Sequence, residues 1–232
     1  MEAASHSPET VQRRHFYGRR IGRGMTAFQH GLLDTLLPEL TLDISTPPPQ
    51  PLTALFGPNI RDVWLEIGFG GGEHLVWQAE RHADVGFIGC EPFVKGVANL
   101  VRSARLGGLA PLRIHNDDAR FALDWLPDAS LGRVFVLFPD PWPKKRHRKR
   151  RFLNVAVLAS LARVMRPGAE LRFATDIADY AEMVSENIAA QPAFALRPGR
   201  LAERPADWPQ TRYEQKAIAA GRPCAFFVFA RL

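Results

Sequence analysis

The fold is decided by the stretch Val63-Trp-Leu-Glu-Ile-Gly-Phe-Gly-Gly-Gly72, which Glu73 follows. Its first half, residues 63–67, is a short apolar run and predicts a buried strand. The glycines at 68, 70 and 72 let the backbone turn tightly and approach a ligand closely. Residues 73–83 then predict a helix, so the stretch is typical of the first strand–loop–helix unit of an α/β domain.

The same alternation continues along the chain. Further strands are predicted at residues 85–90, 112–115, 134–138, 171–175 and 225–230, and further helices at residues 93–106, 151–165 and 177–190. Alternation of this kind gives a mostly parallel sheet with helices on both faces. Ligands bind such sheets beyond the carboxyl ends of the strands. The polar residues that follow the strands are therefore the candidates for function.

The N-terminal quarter has a different character. Residues 1–24 have no periodicity and predict a basic arm, residues 25–37 predict a helix that Pro38 closes, and five prolines in residues 46–58 predict a linker. We therefore divide the chain into an arm, helix and linker over 1–58 and a main domain over 59–232. An Arg-rich beginning is also compatible with an organellar transit peptide.

Composition excludes several classes of protein. The chain has 232 residues and 46% of them are apolar, so it can bury a core, and no apolar run is long enough to span a membrane. Cys90 and Cys224 lie far apart in apolar runs, which argues against a disulfide framework or a metal site. We expect a cytoplasmic protein without a metal.

The positive charge is concentrated in one place. The net charge is +6, and residues 144–151 hold seven Lys or Arg in eight positions, leaving 23 basic against 24 acidic residues elsewhere. A looser cluster comprises Arg13, Arg14, Arg19, Arg20 and Arg23. A local basic patch indicates a polyanionic partner.

The glycine loop does not match a dinucleotide fingerprint. The pattern G-x-G-x-x-G from Gly68 requires glycine at 73, where Glu73 stands and would repel a pyrophosphate. The spacing E-x-G-x-G-x-G from Glu66 instead resembles the first motif of the S-adenosylmethionine-dependent methyltransferases. Their cofactor is cationic at sulfur, and an acidic residue tolerates that charge.

Acidic residues follow two more strands. Glu91 ends the second strand, where a carboxylate can accept two hydrogen bonds from ribose hydroxyls. Asp117 and Asp118 follow the third strand, where a carboxylate could accept from an adenine amine or could cap the next helix. Together with Glu66, they make nucleoside binding the favoured interpretation.

The fourth strand ends in Phe138-Pro-Asp-Pro-Trp-Pro143. Two prolines hold Asp140 rigidly, and Trp142 offers a face on which a base could stack. The basic run follows at once, and phosphate contacts would offset the cost of cations at a helix start. This combination indicates a site that acts on a base within a nucleic acid.

At this point the resemblance to a known family is specific. Residues 139–151 read P-D-P-W-x-K-x-x-H-x-x-R-R and resemble the signature of the bacterial tRNA (guanine-N7-)-methyltransferases. The resemblance also takes in Ala174-Thr-Asp176 and Thr211-Arg-Tyr-Glu214. It implies a Rossmann-like class I methyltransferase fold with a seven-stranded sheet, S-adenosylmethionine as cofactor, and guanine 46 in the variable loop of tRNA as substrate.

The resemblance also implies roles for individual residues, with Asp140 as the catalytic residue. The expected cofactor-binding residues are Glu66, Gly68, Gly70, Gly72, Glu91, Asp118, Ala119 and Asp140. The expected substrate-binding residues are Lys144, Asp176, Thr211, Arg212, Tyr213 and Glu214. The expected RNA-contacting residues are Arg146, His147, Arg148, Lys149, Arg150 and Arg151. Pro143 stands where many relatives have histidine, and Pro92-Phe93 stand where many have aliphatic residues.

Three other functions remain open from the sequence. An exocyclic-amine methyltransferase carries an Asp or Asn, two prolines and an aromatic residue, which Asp140-Pro141-Trp142 matches only in part. A catalytically inactive RNA-binding module could share the fold, although the acidic set argues against it. The glycine spacing disfavours a nicotinamide enzyme.

Overall fold

Seven strands form one sheet in the computed structural model of the protein, which describes residues 18–22, 24–107, 111–201 and 203–232. The strands are β1 (Asp62–Ile67), β2 (Val85–Cys90), β3 (Leu112–His115), β4 (Leu131–Leu137), β5 (Met165–Thr175), β6 (Phe194–Leu201) and β7 (Ala225–Arg231). Their order across the sheet is β3-β2-β1-β4-β5-β7-β6. The first five strands pair in parallel, and β7 runs antiparallel to both β5 and β6. The predicted α/β fold is confirmed.

Helices cover both faces of this sheet. They are α1 (Ala27–Thr35), α2 (Leu37–Leu40), α3 (Glu73–Arg81), α4 (Val94–Gly107), α5 (Ala119–Trp125), α6 (Val155–Val164), α7 (Ala178–Ala189) and α8 (Arg212–Ala219), with short 3-10 helices at Leu52–Leu55 and Lys145–Arg150. One hydrophobic core lies under α5, α6 and α7, and the other lies under α3 and α4. None of the helices in the described ranges is long and apolar enough to cross a membrane.

The strands are buried because apolar side chains occupy both of their faces. In β1, Val63 and Leu65 point into the first core, whereas Trp64 packs in the second. Successive side chains of a strand alternate between the two faces, so a strand covered on both sides must be apolar throughout. Glu66 breaks that rule, since it is a carboxylate with only 5% of its surface exposed.

The segment before β1 packs against the α/β body. Leu32 of α1 lies in the core beneath α4, and Leu42 and Leu52 lie in the opposite core. The backbone N–H of Leu42 donates to the carbonyl of Ile114 at 2.8 Å, next to the edge strand β3. A domain boundary near residue 59 therefore stays a proposal, because side chains from residues 27–55 share both cores with the sheet.

Several elements differ from those expected. The helix expected over 151–165 begins only at Val155, because Asn154 caps it by accepting from the N–H of Val157 at 3.1 Å. Pro38 does not close the first helix but lies in the first turn of α2, where a proline is tolerated. The strand β6 and the helix α8 were missed, since neither carries a long apolar run.

The loops that matter for function follow from the strand order. The chain passes from β1 to β2 and β3 on one side, then crosses back to place β4 on the other side of β1. The loops after β1 and β4 therefore diverge, which opens a crevice at the carboxyl edge of the sheet. This is the switch point at which a doubly wound sheet binds its ligand.

The close approach of α4 to the glycine loop provides a test of this packing. A Cβ atom added to Gly96 would lie 2.1 Å from the carbonyl oxygen of Gly70, so α4 can approach the glycine loop only without a side chain at that position. We expect Gly96→Ala to lower the free energy of unfolding by roughly 1–3 kcal/mol, as overpacking does. The measurement is equilibrium unfolding in urea.

Gly31→Ala is the matched control, since Gly31 lies in α1 and an added Cβ would meet nothing within 4 Å. This substitution should stabilise the protein by roughly 0.5–1 kcal/mol because alanine favours the helix. Equal effects of the two substitutions would show that the close approach does not constrain the fold.

Candidate active site at the carboxyl ends of β1 and β4

A cavity of about 560 Å³ opens at the switch point of the sheet. The loops after β1, β2, β3 and β4 line it, together with residues from the N-terminal segment and α8. The predicted site residues that line it are Gly68, Gly70, Glu91, Asp118, Ala119, Asp140, Lys149, Arg150, Arg151 and Tyr213, and Trp142 lines it as well. The structure thus brings most of the expected cofactor residues together.

The glycine loop forms the floor of this cavity. Gly68, Gly70 and Gly72 have φ angles of 74°, 57° and 84°, in a region that residues other than glycine rarely adopt. The N–H of Gly68 donates to the carbonyl of Cys90 at 2.8 Å, joining the loop to the end of β2. An added Cβ at Gly68 would meet no atom within 4 Å, so the open space beside it is available to a ligand.

Glu91 is held by two backbone donors. Its Oε2 accepts from the N–H of Gly70 at 2.8 Å, and its Oε1 accepts from the N–H of Phe93 at 2.9 Å. Each oxygen therefore has one lone pair fixed and one left for a ligand. Burial raises the pKa of Glu91 above its usual value, and the carboxylates of Asp140 and Glu66 add to that rise.

Asp118 serves as a helix cap. Its Oδ1 accepts from the N–H of Arg120 at 3.0 Å, which fixes the first turn of α5. The Arg120 guanidinium, which also lines the cavity, donates to both carboxylate oxygens. Ala119 is buried beside it. A role for Asp118 in accepting an adenine amine stays a prediction, and it requires Arg120 to yield one of these contacts.

Glu66 lies outside the cavity lining. Its Oε2 is 2.8 Å from Nδ1 of His74, and Nε2 of His74 is 3.2 Å from the amide nitrogen of Gln78. That amide also donates to the carbonyl of Asp207 at 3.1 Å. The carboxylate that begins the glycine motif is thus tied into a buried network that reaches the segment before α8. Direct contact between Glu66 and a cofactor stays a prediction.

Asp140 sits on a strained turn after β4. Phe138 and Trp142, on either side of it, have φ angles of 50° and 42°, in a region that large side chains seldom occupy. The N–H of Phe138 donates to the carbonyl of Ala174 at 2.7 Å, which anchors the turn to β5. No described residue donates a hydrogen bond to the Asp140 carboxylate. The surrounding cavity walls raise its pKa by desolvation.

Two residues of the basic strip, which comprises residues 144–151, contact the ring of Trp142. The 3-10 helix of the strip places the guanidinium of Arg150 5.0 Å from the Trp142 ring, and the ring of His147 meets Trp142 edge-on at 5.9 Å. The pKa of His147 is lowered by desolvation and by the neighbouring Arg150, Arg146 and Lys144. Most of the remaining cations of the strip, Lys144, Lys145, Arg146, Arg148 and Lys149, are exposed.

Arg151 differs from the rest of the strip. It is 1% exposed, its Nε donates to the carbonyl of Pro141 at 3.0 Å, and its Nη2 donates to Asp179 at 2.8 Å. A guanidinium in this position fixes the turn that carries Asp140 and has no exposed surface to offer a phosphate. The RNA contact expected of Arg151 stays a prediction, and its observed contacts with Pro141 and Asp179 are structural. Arg148 also pairs with Asp179.

The four residues Thr211–Glu214 begin α8. Thr211 caps the helix by accepting from the N–H of Glu214 at 3.1 Å, and Arg212 pairs with Glu73 at 3.4 Å. Tyr213 turns toward the cavity, where its ring would lie 3.2 Å from a Cβ at Gly70. Glu214 points to the other side of the helix and is 5% exposed.

Asp176 follows β5 beside a second, shallower recess. This recess has a volume of about 480 Å³, and its lining includes Arg204, Glu214, Arg222 and Cys224. The Nε of Arg222 donates to Oδ2 of Asp176 at 2.7 Å. Phe138 of the cavity and Phe226 of the recess pack edge to face at 6.4 Å, so the two spaces are neighbours. The sequence analysis did not identify Arg204 or Arg222 as functional candidates, because neither lies in a recognisable sequence motif.

The N-terminal arm reaches the cavity. Gly18 and Arg19 line it, the carbonyl of Arg20 accepts from the N–H of Val94 at 3.0 Å, and the Arg20 guanidinium pairs with Asp117 at 2.5 Å. The predicted arm residues Arg13, Arg14 and Arg23 lie outside the described residues. Within the described part of the chain, no group of three or more His, Cys, Asp or Glu is arranged to hold a metal ion.

Comparison with known proteins agrees with this geometry. A family model described as "Putative methyltransferase" matches residues 61–227. A tRNA (guanine-N(7)-)-methyltransferase of Caulobacter vibrioides is 50% identical over 93% of this chain and 94% of its own. A protein of the same name from Paramagnetospirillum magneticum is 46% identical over 98% of this chain and 97% of its own.

Solved structures with lower sequence identity share the fold. The 16S rRNA methyltransferase KamB matches with a TM-score of 0.57 at 16% identity, over 75% of this chain and 90% of its own. A structure described as an antibiotic-related methyltransferase matches with a TM-score of 0.55 at 18% identity, over 85% of this chain and 99% of its own. These likenesses show the Rossmann-like methyltransferase fold.

The buried position of Arg151 generates a prediction. Arg151→Ala removes the guanidinium that holds the Pro141 carbonyl and leaves the Asp179 carboxylate with one partner fewer. We expect it to lower the free energy of unfolding by roughly 3 kcal/mol, as the loss of a buried charged partner does. Thermal or urea unfolding measures this.

Lys149→Ala is the control from the same strip, since Lys149 is exposed. Its effect on stability should stay within about 0.5 kcal/mol. If both variants were equally stable, Arg151 would not anchor the turn, and its expected RNA contact would have to be reconsidered.

Proposed function

The chain belongs to the tRNA (guanine-N(7)-)-methyltransferase family, and we propose that it transfers the methyl group of S-adenosylmethionine to N7 of guanine 46 in the variable loop of tRNA. It is an RNA methyltransferase. The observation that carries the proposal is the meeting of Glu91, Asp140 and Trp142 in one cavity, which Lys149 and Arg150 of the basic strip also line. The choice of position 46 rests on the resemblance of residues 139–151 to the family signature.

The residues of the cavity fit S-adenosylmethionine. When bound, this cofactor supplies a methyl group on a positively charged sulfur. Glu91 keeps a free lone pair on each oxygen for the two ribose hydroxyls. The space beside Gly68 admits a ligand against the backbone, and the carboxylates of Glu91 and Asp140 favour a cation.

Asp140 is the proposed catalytic residue. Atom N7 of guanine carries a lone pair and no proton, so methylation there needs no general base. The task of the site is orientation of the two substrates and stabilisation of the positive charge that the base acquires. Asp140 suits the second task because the turn fixes it and no described residue neutralises it.

Two further carboxylates suit recognition of guanine. The Oε1 of Glu214 accepts from Nε of Arg204 at 3.1 Å, whereas its buried Oε2 has no hydrogen-bond partner among the described residues. A buried acceptor without a donor is costly, which favours a ligand that supplies one. The Watson–Crick edge of guanine offers two N–H donors, and we assign them to Glu214 and Asp176.

The basic strip and the arm suit the surrounding RNA backbone. The exposed side chains of Lys144, Arg146, Arg148 and Lys149 can contact phosphates, and Trp142 offers a ring to an unpaired base. Arg150 and His147 restrain that ring from the side of the strip. Binding of this kind weakens with added salt because phosphate contacts release counterions.

The test is methyl transfer from labelled S-adenosylmethionine to unmodified tRNA, followed by nucleoside analysis. We expect 7-methylguanosine in the variable loop, and no label in a transcript whose guanine 46 is replaced by adenine. Label on an exocyclic amine would replace the proposal with the amine methyltransferase. Cofactor binding without transfer to tRNA would also overturn it.

The variant Asp140→Asn tests the proposed electrostatic role of Asp140 in the same methyl-transfer assay. We expect turnover to fall by roughly 10²-fold or more, since a fixed charge facing the reaction is lost, while S-adenosylmethionine still binds in calorimetry. Asp128→Asn is the control, because Asp128 is exposed and pairs with Arg163 on the surface. Full turnover of Asp140→Asn with unchanged substrate affinity would remove the electrostatic role.

The raised pKa of Glu91 generates a prediction about pH. Protonation of Glu91 removes the charge that we expect the cofactor to require. Because the pKa of Glu91 is raised above the ordinary glutamate value of 4.5, this protonation occurs at a higher pH than in an ordinary glutamate. Affinity for S-adenosylmethionine should therefore be full when Glu91 is ionised and should fall as the pH drops through the raised pKa, before the ordinary range is reached. Calorimetric titration at a series of pH values measures this.

Glu91→Gln is the control for the pH profile. It should bind the cofactor more weakly and lose most of the pH dependence, since glutamine has no proton to gain. A wild-type affinity that stays constant down to the ordinary carboxylate range would contradict the assignment of Glu91 to the ribose.

A further inference from the structure

Two arginines that line the recess beside the cavity, Arg204 and Arg222, each pair with one carboxylate. Arg204 donates to Glu214 at 3.1 Å, and Arg222 donates to Asp176 at 2.7 Å. Each arginine binds one carboxylate oxygen through Nε. In each pair the arginine side chain is the more exposed partner, at 32% against 6% for Glu214 and 45% against 17% for Asp176.

The two carboxylates lie close enough to influence the same group. Burial raises the pKa of the Cys224 thiol, Glu214 and Asp176 raise it further, and Arg222 lowers it. Both carboxylates and Arg222 therefore lie within electrostatic reach of one atom. Like charges in one region repel each other, and a nearby cation such as the Arg222 guanidinium relieves part of that repulsion.

The fold fixes the backbone of Arg222. The helix α8 ends in a Schellman motif, in which Gly221 has a φ of 67° and its N–H donates to Ile218. The N–H of Arg222 donates to the carbonyl of Ala217 at 2.9 Å, which completes that motif. Pro223 follows and restricts the backbone of Arg222 from the other side.

The strand register then brings Arg222 to Asp176. Thr175 at the end of β5 pairs with Ala225 at the start of β7, so the residues just beyond these positions face each other. Arg222 therefore meets Asp176 from a position set by α8 and by the sheet together.

We propose that Arg222 is a positioning residue for methyl transfer, which acts by holding the Asp176 carboxylate in the orientation that receives the substrate guanine. This proposal rests on the assignment of Asp176 to the guanine edge. Arg222 occupies one oxygen of Asp176 and leaves the other oxygen for a donor.

A merely structural ion pair would behave differently. A pair whose cation is 45% exposed contributes little to stability. Its loss would leave the methylation kinetics unchanged in a protein that remains folded. The two roles are therefore separated by kinetics with tRNA, measured at a temperature where all variants are folded.

The experiment compares Arg222→Gln, Arg222→Lys, Asp176→Asn and the double variant Arg222→Gln/Asp176→Asn. Steady-state methylation of unmodified tRNA gives kcat and KM, and calorimetry gives the Kd for S-adenosylmethionine. We expect kcat/KM for tRNA to fall roughly tenfold to a hundredfold in Arg222→Gln, the scale of a misplaced reacting group. The Kd for S-adenosylmethionine should stay within about twofold, and Arg222→Lys should recover part of the loss because it keeps the charge.

The double variant decides between positioning and an independent contact. If Arg222 acts through Asp176, the double variant is no worse than Asp176→Asn alone, whereas additive losses would overturn the proposal. Wild-type kinetics in Arg222→Gln would overturn it too. Arg81→Gln is the control, since Arg81 has a side chain 48% exposed and lies at the end of α3.

Failure of the underlying assignment gives a different result. If Asp176→Asn methylated tRNA at the wild-type rate, the role of Asp176 in guanine binding would be wrong and Arg222 would have nothing to position. If Asp176→Asn lost activity and Arg222→Gln did not, only the role of Arg222 would fall.

Discussion

The site depends on the contact between the glycine loop and the end of β2. Glu91 accepts from the N–H of Gly70 and from the N–H of Phe93, so one carboxylate joins the loop after β1 to the beginning of α4. The absence of a side chain at Gly96 lets α4 lie against the carbonyl of Gly70. This constraint shapes the cavity floor and also orients the carboxylate that we propose for the cofactor ribose. Packing and binding are therefore set by the same few atoms.

The sequence predicted the features that a short local pattern encodes. The strand over residues 63–67, the glycine turn and the carboxylate at Glu91 follow from apolar periodicity, from the freedom of glycine and from the position after a strand. Asp140 was a candidate because the prolines on either side of it restrict the backbone that carries its carboxylate. The seven strands of the sheet came from the resemblance, because β6 carries no continuous apolar run that marks it as a strand.

The sequence could not distinguish side chains of the same type that face different ways. Arg151 belongs to a run of cations, yet it is directed inward by Asp179, 28 positions along the chain. Glu66 begins a cofactor motif, yet it contacts His74 in a buried network. Arg204 and Arg222 have no marked local context and meet their carboxylates only through the tertiary fold. In each case the contact is set by the tertiary fold, and a local pattern contains no information about it.

The strained turn after β4 links the two halves of the site. Phe138 and Trp142 both adopt left-handed backbone conformations, which cost energy for large side chains and persist only when the surrounding structure holds them. Here the holding contacts are the Phe138 N–H on β5, the Phe138 ring against Phe226, and the Arg151 side chain on the Pro141 carbonyl. Between these anchors the turn places Asp140 in the cavity lining, while the Phe138 ring packs against Phe226 of the recess. The strained turn thus places one carboxylate where the proposed cofactor cavity and the proposed guanine recess adjoin.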